Sequence, residues 1–135
     1  MKDTLDQLFQ LMKTNRKLSP WVRDLTIEEA AKELKSEVDE LLEALEKDDL
    51  ENFKEELGDI INDCFLLLIT CEGRKNIDPK EIVVEGINKL KRRKPHLVEG
   101  REVSPEEEKE VWYTAKAKEG KKLRPEEIEM MNGAQ

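Results

Sequence analysis

Apolar residues recur three and four positions apart along most of this chain, the spacing that lines one face of an α-helix. Five helices follow from it. The first runs from about Asp3 to Arg16 with Leu5, Leu8, Phe9 and Met12 on one stripe, after which Ser19, Pro20 and Trp21 open a loop. The second starts at Thr26, where Thr26 and Glu29 form a capping-box pattern, and continues to about Glu46 on the stripe Ile27, Ala31, Leu34, Val38, Leu41 and Leu45. Asp48 or Asp49 caps the third, which reaches about Cys71. Between Ile60 and Ile69 its only charged residue is Asp63, which predicts a central helix whose second half is buried nearly all round.

Asp78 followed by Pro79 opens a fourth helix that ends near Arg93, ahead of Pro95, and Ser104 with Pro105 and Glu107 opens a fifth that Gly120 stops. Beyond Lys121 one short turn fits around Glu126 to Met131, but the apolar positions there are too few to assign it. The fold class is therefore all-α, a helical bundle of about five helices.

The chain has 135 residues, room for one domain with one core. Charged residues make up 41% and aromatics 4%, so that core is thin, and a thin core is commonly completed by a second subunit. Homo-oligomerisation, as a homodimer or a higher assembly, is the expectation. The net charge of −8 argues against nucleic acid as a partner, because such binding draws on Lys and Arg contacts to phosphate. No segment is long and apolar enough to span a bilayer, and residues 1–11 lack the apolar stretch of a signal peptide, which predicts a cytoplasmic protein without a membrane partner. Cys64 and Cys71 lie two turns apart on one helix, about 10.5 Å at 1.5 Å per residue and beyond the ~7 Å reach of a disulfide. They read as small buried residues.

Four carboxylates stand out by position: Glu37 and Glu40 on the second helix, Glu56 and Asp59 on the third. Residues three apart share a helical face, so each pair can aim two carboxylates at one point, and two antiparallel helices present four. Glu37 flanks the apolar stripe of its helix, while Glu56, Asp59 and Asp63 form a band beside Leu57, Ile61, Cys64 and Leu68. Anions so crowded repel unless protons or cations compensate them. Carboxylate oxygens without His or Cys favour Mg²⁺, or Mn²⁺, which also binds substrate phosphates. The plain alternative is a solvated face on two charged helices. A carboxylate-bridged di-iron centre would need Glu-x-x-His, and the one histidine, His96, follows Pro95 in a loop and reads as structural.

Ser36-Glu37-Val38-Asp39-Glu40 and the later Glu55-Glu56-Leu57-Gly58-Asp59-Ile60 match a Glu-Glu-x-x-Glu and Glu-x-x-Asp motif pair. With Pro20 and Trp21, the run Lys89 to His96 (KLKRRKPH), and Trp112 with Lys116, they make the sequence similar to the MazG family of nucleotide pyrophosphohydrolases over most of residues 1–119. Ser36 stands where the family has the first Glu, Val22 where it has Asp, and Lys94 where it has His. The resemblance implies a MazG-like domain over residues 1–120, with a tail over 121–135 to which no function is assigned.

It also implies Glu37, Glu40, Glu56 and Asp59 as Mg²⁺ ligands and catalytic residues, acting on a nucleoside triphosphate to give monophosphate and pyrophosphate, including the removal of non-standard nucleotides. Lys89 and Arg93 would contact the phosphate tail, and Trp112 and Lys116 the nucleotide. Each has a structural alternative: a basic helix end favoured by the helix dipole for the first pair, a core position for Trp112. The rival functional readings are a non-catalytic nucleotide-binding protein and a helical interaction module.

Overall fold

The structure is a computed structural model that describes the backbone of residues 1–133 and side chains through residue 129. Eight helices and no strand occur among the described residues: α1 (Lys2–Leu18), α2 (Pro20–Asp24), α3 (Ile27–Glu46), α4 (Leu50–Lys75), α5 (Pro79–Arg93), α6 (His96–Glu99), α7 (Pro105–Lys118) and α8 (Pro125–Gly133). The five helices read from periodicity are α1, α3, α4, α5 and α7. Three short ones join them. The segment expected to be a loop at Ser19 to Trp21 is the start of α2, because Ser19 caps it by accepting from the Val22 amide and Pro20 occupies its first position. His96 opens α6 rather than lying in a loop, and the unassigned short turn in the tail extends to α8. Residues 134 and 135 of the expected tail lie outside the described residues.

The chain divides into two compact units, Met1–Pro79 and a second beginning at Lys80. In the first, α3 and α4 form an antiparallel hairpin. The turn is built by Asp48 in the left-handed region at φ 52°, with the Asp49 amide donating to Ala44 O at 2.9 Å. Capping fixes both ends: Thr26 and Glu29 close a capping box on α3, and Asp49 accepts from the Asn52 amide at 3.1 Å to start α4.

The side chains that α3 turns inward are Ala30, Leu34, Glu37, Leu41 and Ala44; those of α4 are Phe53, Glu56, Ile60, Asp63, Leu67 and Thr70. Both sets alternate steps of three and four, the spacing of a coiled-coil seam. The buried face of α3 is therefore rotated from the predicted stripe: Leu34 and Leu41 belong to it, whereas Ala31, Val38 and Leu45 are exposed. Small Ala30 and Ala44, both fully buried, let the helices approach, and the larger residues form a neighbouring stripe. Between Ile60 and Ile69, where burial nearly all round is expected, α4 is buried or half-buried except at Ile61 and Cys64, which continue an open stripe from Leu57. Leu57 and Ile61 are 42% and 41% exposed, and Cys64 is exposed rather than buried.

Helices α1 and α2 pack on the far half of α4 through Met12, Val22, Leu25 and Leu66, with Phe9 and Phe65 at a centroid distance of 6.0 Å. Two arginines fasten this corner to main-chain carbonyls. Arg74, in the last turn of α4, donates from Nε to Leu25 O at 3.0 Å and from Nη2 to Arg23 O at 2.9 Å, satisfying carbonyls at the end of α2. Arg16 of α1 donates from Nη1 to Ile69 O at 2.8 Å, and its guanidinium lies over Gly73, 1.4 Å from where a Cβ would stand.

Gly73 thus admits Arg16. Gly73→Ala gains roughly 1 kcal/mol of helix propensity but displaces a charged donor whose bond is worth about 1.5 to 3 kcal/mol, so we expect a net loss of about 1 kcal/mol in denaturant unfolding. In an Arg16→Ala background the same change should become stabilising. Equal effects in both backgrounds would separate Gly73 from Arg16.

Candidate metal centre

Glu37, Glu56 and Asp59 each offer a carboxylate oxygen, and those oxygens lie within 4.8 Å of one another. They come together because Glu37 and Glu56 occupy seam positions, where the packing of α3 on α4 otherwise demands apolar side chains. Glu40 with Glu56, Glu37 with Asp59, and Glu33 with Asp63 are each equidistant along the chain from Asp48, so the hairpin sets three acidic pairs side by side. Glu37 is accordingly a member of the seam, not a residue flanking it. Glu56 is buried, Glu37 and Asp59 half-buried, and Glu40 exposed. Glu40 stays outside the three-residue set but hydrogen-bonds with Glu37.

Their protonation reflects the crowding. Burial, then hydrogen bonding to Glu40 and Glu56, raises the Glu37 carboxyl from its ordinary 4.5 to about 7. Burial is also the largest cause raising Glu56, with the charges of Glu40 and Asp59 adding to it. Asp63 is raised by burial and then by Glu33 and Asp59. Glu33, one turn before Glu37, was not among the residues singled out from the sequence; that one-turn spacing is the signal for it.

Glu56 Oε2 is buried without a hydrogen-bond partner among the described residues. A buried carboxylate oxygen lacking a donor, set among further carboxylates, fits a divalent cation, and a donor set of oxygens alone fits Mg²⁺ or Mn²⁺. Glu37, Glu56 and Asp59 would hold it, with Glu40 at the edge.

The second unit carries the other residues expected to contact substrate, and most are already engaged. Lys89 is exposed on α5. Arg93 is buried, 6% exposed; its Nη2 donates to Glu119 at 2.8 Å and its guanidinium lies 5.1 Å from the Trp112 ring centre. Trp112 is half-buried, with Lys94 Nζ 5.7 Å from the same ring. Lys116 is buried and donates to Glu127 of α8, a carboxylate that also accepts from the Arg124 amide at 2.7 Å. Hydrogen bonding from Lys116 holds the Glu127 carboxyl down at about 2. His96 faces Glu108 at 3.8 Å, and the same carboxylate accepts from Lys94 at 2.6 Å.

The model of the MazG nucleotide pyrophosphohydrolase domain matches residues 25–98, which span the α3–α4 hairpin and α5. Among solved structures, a mazG-related protein from Thermotoga maritima matches with a TM-score of 0.79 and 30% identity, covering 83% of this chain and 98% of that one. No protein of curated function matches the chain.

Because Glu37 sits near 7 in the fold against an ordinary 4.5, it binds its proton more tightly folded than unfolded. The stability this gives is complete below pH 4.5 and is lost as pH rises through about 7. In chelator, the melting temperature of the native chain should therefore fall across that window more steeply than that of Glu37→Gln, measured by calorimetry. Saturating Mg²⁺ should reduce the difference, since a cation favours the ionised form. Parallel profiles in chelator would show that Glu37 is not perturbed.

Proposed function

The chain belongs to the MazG nucleotide pyrophosphohydrolase family, and from that premise we propose that it hydrolyses nucleoside triphosphates, with Mg²⁺, to the monophosphate and pyrophosphate. The observation that carries the reading is the convergence of Glu37, Glu56 and Asp59 within 4.8 Å, one oxygen of Glu56 being buried and unpartnered. Bound there, Mg²⁺ supplies charge to the substrate's phosphates and lowers the pKa of water, with Mn²⁺ as the chemical alternative.

The chain's residues do the rest. Glu37, Glu56 and Asp59 act as ligands; Glu40, exposed and hydrogen-bonded to Glu37, is the carboxylate best placed to take the proton of the attacking water. Water oxygen bonds to the α-phosphorus, the bond from that phosphorus to the bridging oxygen breaks, and pyrophosphate leaves. Lys89 and Arg93 contribute positive charge to the phosphate tail. Trp112 and Lys116 contact the nucleotide, which gives little discrimination between bases and suits the removal of non-standard nucleotides. The reaction belongs to the soluble nucleotide pool of the cytoplasm; among the described residues no helix is long and apolar enough to cross a membrane.

The protein acts as a homodimer or a higher assembly. Val38, Leu42 and Leu45 on α3 and Leu50, Leu57 and Ile61 on α4 are all exposed. In an antiparallel hairpin these two stripes fall on one side of the seam, making a continuous apolar face next to the acidic cluster. A second copy covers it with the same residues, an isologous contact.

Two outcomes are expected. Pyrophosphate release from nucleoside triphosphates should require Mg²⁺ and should fall roughly 100-fold or more in Glu56→Gln, a loss of a metal ligand; Mg²⁺-dependent nucleotide binding with no turnover would instead leave a binding protein. Light scattering should find the native chain at twice the monomer mass or more, and Ile61→Asp shifted toward the monomer. A native chain that is monomeric at all concentrations would exclude the assembly.

A further inference from the structure

In the second unit, one carboxylate clasps two consecutive arginines. Glu119 accepts from Arg92 Nε at 3.3 Å and from Arg93 Nη2 at 2.8 Å. It stands at the C-cap of α7, directly before Gly120 in the left-handed region at φ 72°. A negative charge at a helix C-terminus opposes the helix dipole, so α7 does not gain by having an acid there. The two arginines offset that cost. The partners are also unequal, since the side chain of Arg92 is 49% exposed and that of Arg93 only 7%, so the pairing with Arg93 is the desolvated one.

The surroundings fix the Arg93 guanidinium in two directions. Its edge is held by Glu119 and its face by the Trp112 indole at 5.1 Å. Nε remains buried with no acceptor among the described residues. A guanidinium gripped at one nitrogen and held against a ring, with a buried donor left unused, is oriented without being saturated.

We propose that Glu119 is a positioning residue: it holds the Arg93 guanidinium in the orientation that receives substrate phosphate. The inference rests on the reading of Arg93 as a triphosphate contact, made above. Its rival is a carboxylate that competes with the substrate for Arg93. The two differ in sign, because removing a competitor improves the enzyme and removing a positioner impairs it.

The test is a double-mutant cycle on the full-length chain with Mg²⁺, using Glu119→Gln and Arg93→Gln, which measures kcat/KM for a nucleoside triphosphate. Glu119→Gln should lower it by about tenfold and Arg93→Gln by more, while Glu119→Gln in the Arg93→Gln background should cost less than about twofold. Glu119→Asp, which keeps the charge, should recover part of the loss. In a Trp21→Phe background Trp112 is the sole indole, and its emission should change in Glu119→Gln as the guanidinium shifts on the ring; helix content is followed by circular dichroism in every variant. A gain in kcat/KM on losing Glu119, or an equal loss with and without Arg93, overturns the proposal. Should Arg93→Gln turn over normally, the assignment of Arg93 fails, and this inference with it. If Glu119→Gln does not fold, Glu119→Asp is read alone: a loss that vanishes without Arg93 supports the role, and no loss overturns it.

Discussion

Mutual repulsion among carboxylates in the α3–α4 seam is the constraint around which the first unit is arranged. Seam positions of a helix hairpin normally bury apolar side chains, and here Glu37 and Glu56 occupy two of them, with Asp63 in a third. The neighbouring residues compensate for that choice. Buried Ala30 and Ala44 allow close approach on α3, Leu34 and Leu41 fill the intervals, and the capped Lys47-to-Asp49 turn holds the register that sets the acids level with one another. Protons relieve the repulsion in part, which is why burial and neighbouring carboxyls hold Glu37 near neutrality. A divalent cation would relieve it more completely and couple the strain to substrate binding.

Much of this was legible in the sequence. The capping box at Thr26, the Asp49 cap, Pro105 after Ser104, and the paired spacing of Glu37/Glu40 and Glu56/Asp59 are local signals, and local signals survive without knowledge of packing. The facing of α3 was less legible. Its largest apolar residues, Val38, Leu42 and Leu45, lie outside the seam, while Ala30 and Glu37 lie in it. Hydropathy locates apolar surface but does not say whether the same chain or a second copy covers it, and a buried acid lowers the apparent hydropathy of the true interior. Cys64 follows the same logic, since it lies on the stripe of Leu57 and Ile61 that the single chain leaves open.

Two of the short helices, α2 and α6, were missed because their determinants are not periodic. α2 spans too few residues for a stripe, and its carbonyls are satisfied by Arg74, distant in sequence. Trp112 and Arg93 show the same limit in the second unit: each was read separately as a ligand contact or a structural residue, and the structure joins them through the indole face and through Glu119, which periodicity did not single out.

The pairing of Lys116 with Glu127 gives α8 a role that its composition does not suggest. The ammonium is buried, and its counter-charge arrives from a helix that begins only at Pro125. Proteolytic trimming ahead of Arg124 would leave a cation in a dry environment with nothing to neutralise it. The resistance of α7 to local opening is thus tied to α8, which lies well outside the matched segment 25–98.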